Sequence, residues 1–311
     1  MQELWVEKYR PKTIDEYVWR DEHQKNQVKS WIAEKAIPHL LFSGTQGIGK
    51  TSLAELLFNQ LGAPKADILV INASDDNSVE VIRSRVSHFV GQMSFGGGFR
   101  YILLDEADYL TPNAQAVLRG LIEKSTQFAR FILTCNYPER IIPALHSRCQ
   151  GFHLTQLDQT EFETRIATIL ISEGIAFDID LLDTYVKATY PDLRKCINSV
   201  QQNTSNAKQL DHPNSKDAST EADWQIEMVE LFKQGKITQA RNLICSKARN
   251  EEIQGVFTFL YQNLELWGDA EQQEQAILII RDAVYKSSFV ADQEINLAAC
   301  LVQLRKIVNG E

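Results

Sequence analysis

Short apolar segments alternate with segments of helical spacing over the first half of the chain. Runs of about four to eight apolar residues are typical of strands that are buried on both faces of a sheet, whereas apolar residues at every third or fourth position are typical of helices. The alternation predicts a doubly wound α/β domain with a parallel sheet. Strands are predicted over residues 39–43, 68–72, 101–105 and 131–136, and helices over residues 51–61, 79–90 and 113–124.

From Thr160 onward the strand pattern stops and helical spacing takes over. Three helices are predicted over residues 161–173, 179–190 and 192–202. A polar segment rich in Ser, Asn, Asp and Lys follows and predicts a linker. The predicted parts of the chain are an α/β domain (1–155), a small helical domain (156–210), a polar linker (211–223) and an all-α domain (224–311) with breaks at Gly235, Gly255 and Gly268.

The composition suits a chain that builds several packed cores. Its 311 residues predict two or three domains, and 44% of them are hydrophobic. Without a run of 18 apolar residues, no membrane span is expected, and the residues after Met1 do not begin a signal peptide. The cysteines are scattered without a C-x-x-C pair, which argues against zinc and favours a reducing, cytoplasmic location (that of the host cell if the chain is viral). They are Cys135, Cys149, Cys196, Cys245 and Cys300.

Charge is distributed unevenly along the chain. The net charge of −9 does not indicate a general nucleic-acid binder. Residues 1–155 carry 17 basic and 17 acidic side chains, residues 156–220 carry 6 and 10, and residues 221–311 carry 9 and 14. A contact with DNA is therefore expected to be a local patch on the first region, and the acidic last region is expected to contact protein.

A glycine-rich segment joins the first predicted strand to the first predicted helix and matches the pattern G-x-x-x-x-G-K-[ST] of a phosphate-binding loop. Glycines let backbone N–H groups turn toward phosphate oxygens, and the helix N-terminus adds a positive dipole end. Lys50 is expected to neutralise the β- and γ-phosphates and the Thr51 hydroxyl to bind Mg²⁺. A chance glycine-rich turn fits this context poorly. The residues predicted to bind the nucleotide are Gly44, Thr45, Gln46, Gly47, Ile48, Gly49, Lys50, Thr51 and Ser52.

A second motif ends the strand predicted over residues 101–105, where four apolar residues run into Asp105-Glu106-Ala107-Asp108. Alone, this pattern is also that of any strand that runs out to solvent. After a phosphate-binding loop at this spacing it indicates ATP hydrolysis. Asp105 is then the carboxylate on the metal side, together with Thr51, and Glu106 is the base that polarises the attacking water.

Three further polar residues are candidates for the same chemistry. Asn136 ends a predicted strand, where an amide can lie beside the attacking water. Arg148 lies in a later loop and is placed to serve the phosphate of a neighbouring subunit, and Arg194 lies in the first turn of a predicted helix. The alternatives are an ordinary strand-end cap for Asn136 and ordinary surface arginines, and for Arg194 alone the ordinary interpretation is favoured.

Three segments resemble replication factor C-type clamp loaders. Residues 3–11 (ELWVEKYRP) resemble their opening box, residues 71–76 (INASDD) resemble the segment before their DNA-facing helix, and residues 147–149 (SRC) match their arginine-finger tripeptide. The resemblance covers residues 3 to about 202, whereas residues 224–311 resemble the family only in length and helical character. The sequence also looks close to the ATPase subunit of tailed-phage clamp loaders.

The resemblance implies an AAA+ module, a three-helix lid and a helical collar. It implies a spiral of five subunits, made of identical copies and a different small subunit, that needs ATP and Mg²⁺ but no zinc. ATP binding would open a ring-shaped sliding clamp, and primer–template DNA would trigger hydrolysis and release. No membrane partner is implied.

The resemblance also assigns roles to residues. Arg148 would act on the ATP of the adjacent subunit, Asn136 would be sensor 1 and Arg194 sensor 2. Many relatives carry Lys or Arg where this chain has Asn77, and in them that residue contacts DNA and restrains the catalytic glutamate. Asn77 is neutral, which leaves both roles in doubt for this chain. The remaining assignments are Tyr9, Arg10 and Pro11 at the adenine, Gln115 as the coupling residue, and Ser78, Arg83 and Thr111 at DNA, although Arg83 also fits a merely solvated helix face.

Two other functions stay open at this point. One is an AAA+ motor that acts at DNA junctions or loads a helicase. The other is an ATP-binding assembly scaffold with little turnover. The arginine-finger tripeptide and the opening box favour the clamp loader over the first, and the presence of Glu106 and Arg148 argues against the second.

Overall fold

The computed structural model describes residues 3–154, 157–205, 208–212 and 221–309, with side chains left undescribed at 221–223, 250, 251 and 309. The chain divides into two compact units. The first contains Met1–Ile169 and Pro191–Ile197, and the second contains Leu170–Tyr190 and Asn198–Glu311. The helices of the predicted small helical domain are thus divided between the two units, and the predicted four-part division remains a prediction.

A parallel five-stranded sheet forms the centre of the first unit, in the order β2-β3-β4-β1-β5. The four predicted strands are confirmed to within two residues. The fifth was missed because it is an edge strand in which Phe152 alone is buried, so it contains no apolar run. The strands are β1 (Leu40–Ser43), β2 (Ile68–Asn72), β3 (Arg100–Asp105), β4 (Ala129–Cys135) and β5 (Gln150–His153).

The central strands β1, β3 and β4 are buried apart from Arg130 and Asp105, which are half-buried. Ile102 and Leu104 of β3 and Leu133 of β4 have no exposed surface and pack with Leu118 of helix α6 (Pro112–Ser125). This burial holds the carboxyl ends of β1, β3 and β4 side by side at one edge of the sheet. The helices of the unit are α1 (Trp5–Lys8), α2 (Glu22–Ala33), α3 (Lys50–Gln60), α4 (Val79–Val81), α5 (Ser87–Val90), α6 (Pro112–Ser125), α7 (Pro143–His146) and most of α8 (Gln159–Glu173).

The helix predicted over residues 79–90 has an irregular centre. A π-helical turn, Ile82–Val86, separates α4 from α5. Ile82 and Val86 are both buried and pack in the same core as the sheet. A π-turn contains one residue more than an α-turn, and such turns are frequent at functional sites. Periodicity alone predicts the helix but not this extra residue.

The second unit is helical apart from isolated bridges in its described part. The predicted breaks at Gly235 and Gly268 are confirmed, but the break at Gly255 is wrong because this residue lies inside α13. A glycine costs about 1 kcal/mol in a helix, and burial of the neighbouring Val256 and Phe257 offsets that cost. The helices are α9 (Ile179–Thr189), α10 (Leu193–Gln202, which begins in the first unit), α11 (Glu221–Lys233), α12 (Ile237–Lys247), α13 (Asn250–Gln262), α14 (Ala270–Ser287) and α15 (Gln293–Asn309).

Aromatic side chains form the centre of this second core. Phe232 stacks on Phe259 at 5.9 Å between ring centroids and meets the edge of Trp267 at 5.7 Å. Most of the predicted polar linker lies outside the described residues, and α11 already begins at Glu221. In the part of the chain that the structure describes, no helix is both long and apolar enough to cross a membrane.

One buried histidine of the first unit leads to a prediction about how stability depends on pH. The His39 side chain accepts a hydrogen bond from the Phe131 N–H at 3.2 Å through Nδ1, while its buried Nε2 has no partner among the described residues. Burial and the nearby charge of Arg130 lower its pKa to about 4. The native chain therefore keeps His39 neutral at pH values where an unfolded chain, with a pKa of about 6.5, takes up a proton.

Stability is accordingly expected to fall as the pH decreases from about 6.5 to 4, because protonation then favours the unfolded chain. Between pH 7 and pH 5 this residue should contribute a loss of about 2 kcal/mol in the free energy of unfolding. In urea denaturation at both pH values, the free energy of unfolding of His39→Asn should decrease by about 2 kcal/mol less than that of the wild type. His23→Asn, at an exposed position, is the control, and equal losses in all three proteins would contradict the prediction.

Candidate functional site

The glycine-rich loop connects β1 to α3 and depends on glycine for its shape. Gly47 and Gly49 have φ angles of +72° and +98°, a region that other residues rarely adopt. A Cβ atom at Gly47 would lie 1.8 Å from Oδ1 of Asp192, so a side chain here would also have to displace the Asp192 carboxylate. Residues 46–52, the loop from Gln46 and the first turn of α3, line the cleft above the sheet edge.

Lys50, the first residue of α3, is buried inside this loop. Its ammonium donates hydrogen bonds to the carbonyls of Gly44 at 2.9 Å and Thr45 at 2.8 Å, and to Oδ1 of Asn136 at 2.8 Å. Burial lowers its pKa, and the nearby charge of Arg194 lowers it further. All three donors are used, so a phosphate oxygen must replace at least one of these acceptors. A dianionic phosphate would supply the charge that the three neutral oxygens lack.

Oxygen atoms from the ends of two strands, β3 and β4, and from the start of α3 meet beside Lys50. The Thr51 hydroxyl donates to Oδ1 and Oδ2 of Asp105 at 2.8 and 3.1 Å. The Thr134 hydroxyl donates to Oδ1 of Asp105 at 2.6 Å and accepts from the N–H of Glu106 at 2.9 Å. A hydroxyl and a carboxylate form the oxygen-only donor set that Mg²⁺ prefers. The residues predicted to bind the metal therefore fit it chemically.

Glu106 stands in the left-handed region, with φ and ψ of 55° and 42°. Such a backbone is uncommon for a residue with a long side chain and costs on the order of 1 kcal/mol or more. Its N–H is fixed by Thr134, and its side chain lines the same cleft as Lys50 and Asn136. The strained turn holds Glu106 directly after β3, on the lining of this cleft.

Asp108, the last acid of the second motif, holds the segment after β4. Its Oδ2 accepts the N–H groups of Asn136 at 3.2 Å and Tyr137 at 3.1 Å. Its other oxygen is buried and has no hydrogen-bond partner among the described residues. Asp108 therefore fixes the backbone of Asn136, whose amide is directed at Lys50. Asp108 is part of the acidic motif in the sequence, but its role in positioning Asn136 could not be predicted from that motif.

The opposite end of the cleft is built by the N-terminal segment. Tyr9, Arg10 and Pro11 line it, and their contact with adenine remains a prediction. The Arg10 guanidinium, however, donates a hydrogen bond to Oε2 of Glu55 at 2.6 Å, and this hydrogen bond raises the pKa of Arg10. Arg165 of α8 donates to the Tyr9 carbonyl at 2.8 Å, and burial lowers its pKa.

The sequence did not point to Tyr17, Arg165 or Asp192, since none belongs to a short motif. The Tyr17 hydroxyl donates to the Gly49 carbonyl at 3.4 Å, and burial raises its pKa. Asp192 accepts the N–H of Lys195 at 2.9 Å and thereby caps the start of α10, while burial raises its pKa. Arg194, two residues later, lines the cleft, and its predicted contact with the γ-phosphate remains a prediction.

Arg148 lies outside the lining of this cleft. It follows α7, with its guanidinium bonded to Glu123 of α6 and to the Ala144 carbonyl. The side chain is about one-third exposed. Its position fits the prediction that it serves a phosphate other than the one bound by its own chain.

Gln115 links the start of α6 to the segment after β4. Its amide nitrogen donates to the carbonyls of Leu110 at 3.1 Å and Arg140 at 3.0 Å, and its amide oxygen accepts the N–H of Ile142 at 2.8 Å. The side chain is only 2% exposed. A buried amide that joins the loop after Asp105 to the loop after β4 suits the coupling role predicted for it.

The residues predicted to contact DNA are exposed or partly exposed near two helix starts. The side chain of Ser78 caps α4, and the side chain of Thr111 caps α6. Arg85 pairs with Asp76 at 2.8 Å. Arg83 is exposed and, among the described residues, has no ion pair. Of the two arginines in the π-turn, Arg83 is thus the one whose charge is not already neutralised.

The sequence also matches known proteins. A model of the ATPase family associated with various cellular activities (AAA) matches residues 40–157. The replication factor C small subunit of Natronomonas pharaonis is 34% identical over 312 residues, which cover 98% of this chain and 95% of that protein. The chain belongs to the replication factor C small-subunit family of sliding-clamp loader ATPases. The small subunit of Methanococcus vannielii, also in this family, is 37% identical over 246 residues, 78% of each chain.

The fold also resembles that of solved structures. A variant of Thermotoga maritima RuvB has a TM-score of 0.56 and 14% identity, and the match covers 82% of this chain and 91% of that one. At this identity the likeness concerns the fold alone. Membership of the replication factor C family nevertheless confirms the predicted fold class and ATPase activity, with ATP and Mg²⁺ as the expected ligands.

Proposed function

We propose that this chain uses ATP binding to open a ring-shaped sliding clamp and DNA-triggered hydrolysis to release the clamp closed on primer–template DNA. The observation that carries the proposal is the convergence of Lys50, Thr51, Asp105, Glu106 and Asn136 on one cleft. This set supplies the groups that phosphoryl transfer to water needs from the chain that binds ATP. The one further group needed is a cation, supplied by another chain, that neutralises the transferred phosphate.

Each residue of the cleft has a separate task. Lys50 and the N–H groups of the loop bind the β- and γ-phosphates, and Thr51 with Asp105 would hold Mg²⁺, which supplies further neutralisation of phosphate charge when bound. Glu106 accepts a proton from the attacking water, and Asn136 orients that water. Arg194 at the start of α10 contacts the γ-phosphate from the other side of the cleft. Tyr9 and Pro11 pack against the adenine.

The missing cation comes from an adjacent subunit in this proposal. Arg148 does not line its own cleft, so in this proposal a neighbour's Arg148 reaches the γ-phosphate when subunits assemble side by side. A spiral of five subunits, identical copies with one different small subunit, provides such interfaces. The relatives named above are archaeal, and the likeness to phage loaders, the cytoplasmic location and the absence of zinc remain predictions.

The test is the ATPase rate of the assembly with primed DNA, with a ring clamp and with both. A clamp loader should respond to the two together by more than the sum of the separate responses. Stimulation by DNA alone, with no effect of the clamp, would favour a DNA-junction motor. A rate that stays low under every condition would favour an assembly scaffold.

DNA contacts are proposed at Ser78, Arg83 and Thr111, and Arg83 supplies the charge that Asn77 cannot. Arg83→Ala is expected to weaken DNA binding evenly across sequences, because a phosphate contact carries no sequence information. The slope of log affinity against log salt should decrease by somewhat under one unit per affected contact on duplex DNA. Arg85→Ala, which removes a cation already paired with Asp76, is the matched control and should have a smaller effect.

The measurement is a salt titration of DNA affinity for the assembled protein. If Arg83→Ala leaves both affinity and salt slope unchanged, the helix is a solvated face and DNA follows another path. Asn77→Lys is expected to act in the opposite direction and to strengthen DNA binding.

A further inference from the structure

The guanidinium of Arg148 is already occupied within its own chain. Nε donates to Oε1 of Glu123 at 2.7 Å, and Nη2 donates to the same oxygen. Nη1 donates to the Ala144 carbonyl at 2.7 Å and to the Ser147 hydroxyl at 3.1 Å. A guanidinium has five N–H donors in a planar fork. Contacts within the described residues use four of them and leave one.

An arginine recognises phosphate best through two parallel N–H donors on one edge of the fork. Glu123 covers the edge formed by Nε and Nη2, and both hydrogens of Nη1 on the other edge are used. Arg148 therefore has no free two-donor edge in this arrangement. Bidentate binding of a phosphate requires that Glu123, Ala144 or Ser147 give up a contact.

Glu123 is the contact that a phosphate would displace. Its carboxylate is about half exposed, and the arginine is about one-third exposed. Exposed ion pairs contribute little because water screens them. The triphosphate of ATP with Mg²⁺ bound still carries more negative charge than one carboxylate, and it offers oxygens to both donors. The Ala144 contact, to the backbone of the preceding turn, can persist while Glu123 is exchanged.

We propose that Glu123 is a latch residue, which holds the Arg148 guanidinium until the γ-phosphate of a neighbouring subunit's ATP competes for it. The inference rests on the proposed function, in which Arg148 acts across the interface. Glu123 lies near the C-terminal end of α6, and Gln115 ties the N-terminal end of the same helix to Leu110, a few residues after Glu106. The latch is thus carried by the helix that follows the chain's own catalytic loop.

Removing the latch should make engagement of the finger easier. Glu123→Gln keeps the size of the side chain but loses its charge, so kcat/KM for ATP should rise about two- to fivefold in the assembly with primed DNA and a ring clamp, the range that one exposed ion pair supports. Glu139→Gln removes a carboxylate charge from the exposed segment before α7 without a contact to Arg148, and should leave kcat/KM unchanged.

The same measurement in an Arg148→Ala background separates the latch from a general effect of Glu123 on folding. Glu123→Gln should then have no effect, because there is no guanidinium to release. A decrease or no change of kcat/KM on Glu123→Gln alone would overturn the latch while a large loss in Arg148→Ala upholds the proposed function. Full activity of Arg148→Ala would overturn the proposed role of the finger, and the latch with it.

Discussion

Lys50→Ala is expected to abolish nucleotide binding, whereas Glu106→Gln is expected to preserve binding and stop hydrolysis. The lysine change removes the mobile cation of the phosphate loop and leaves the Gly44 and Thr45 carbonyls facing the phosphates without a donor between them. The glutamine keeps the shape of Glu106 but cannot accept the proton of the attacking water. Loss of a general base of this kind costs about 10²- to 10⁴-fold in rate.

Two measurements separate the variants. Binding of a fluorescent ATP analogue reports on Lys50, and phosphate release under saturating ATP reports on Glu106. Lys65→Ala and Glu34→Gln change exposed residues of the same types and serve as controls. If both site variants lost binding equally, Glu106 would be holding nucleotide or loop structure, and its assignment as the base would be wrong.

Mixing two inactive chains should restore turnover if Arg148 acts across an interface. An assembly of Lys50→Ala chains has intact fingers but no ATP, and an assembly of Arg148→Ala chains has ATP but no fingers. Only mixed assemblies contain interfaces that pair an intact loop with an intact finger. An arginine finger contributes ~10³-fold or more to related reactions, so even a few such interfaces should be visible above the background.

The experiment needs proof that the chains have mixed. Differently tagged chains, purified in two steps, would give assemblies that contain both variants. Turnover by these assemblies, with none in either parent alone, is the expected result. The absence of any recovery in verified mixed assemblies would mean that Arg148 works within its own chain or is merely structural.

The sequence predicts those features that follow from local pattern. Strands β1 to β4 were predictable because they are continuous apolar runs, and the site residues at their ends were predictable because the phosphate loop and the acidic motif are local. β5 was not, because an edge strand with one buried residue has no such run. The break at Gly255 was wrong because a glycine signals a helix end only when tertiary packing does not outweigh its cost.

Contacts between distant segments were the other part that the sequence could not supply. Arg165 meets Tyr9 across 156 positions of the chain, and Glu123 meets Arg148 across 25. Such pairs depend on where the sheet and α8 bring their side chains, and no spacing rule encodes them. The π-turn at Ile82–Val86 could not be predicted either, because an α-turn and a π-turn would bury the same apolar residues.

The left-handed backbone of Glu106 places stability and activity in opposition at one position. Asparagine adopts this conformation more readily than glutamate does. A redesign of the chain for stability alone would therefore favour asparagine at position 106, and the shorter amide would remove the carboxylate proposed as the base. A design that optimises stability alone is therefore expected to abolish ATP hydrolysis, unless position 106 is excluded from the design.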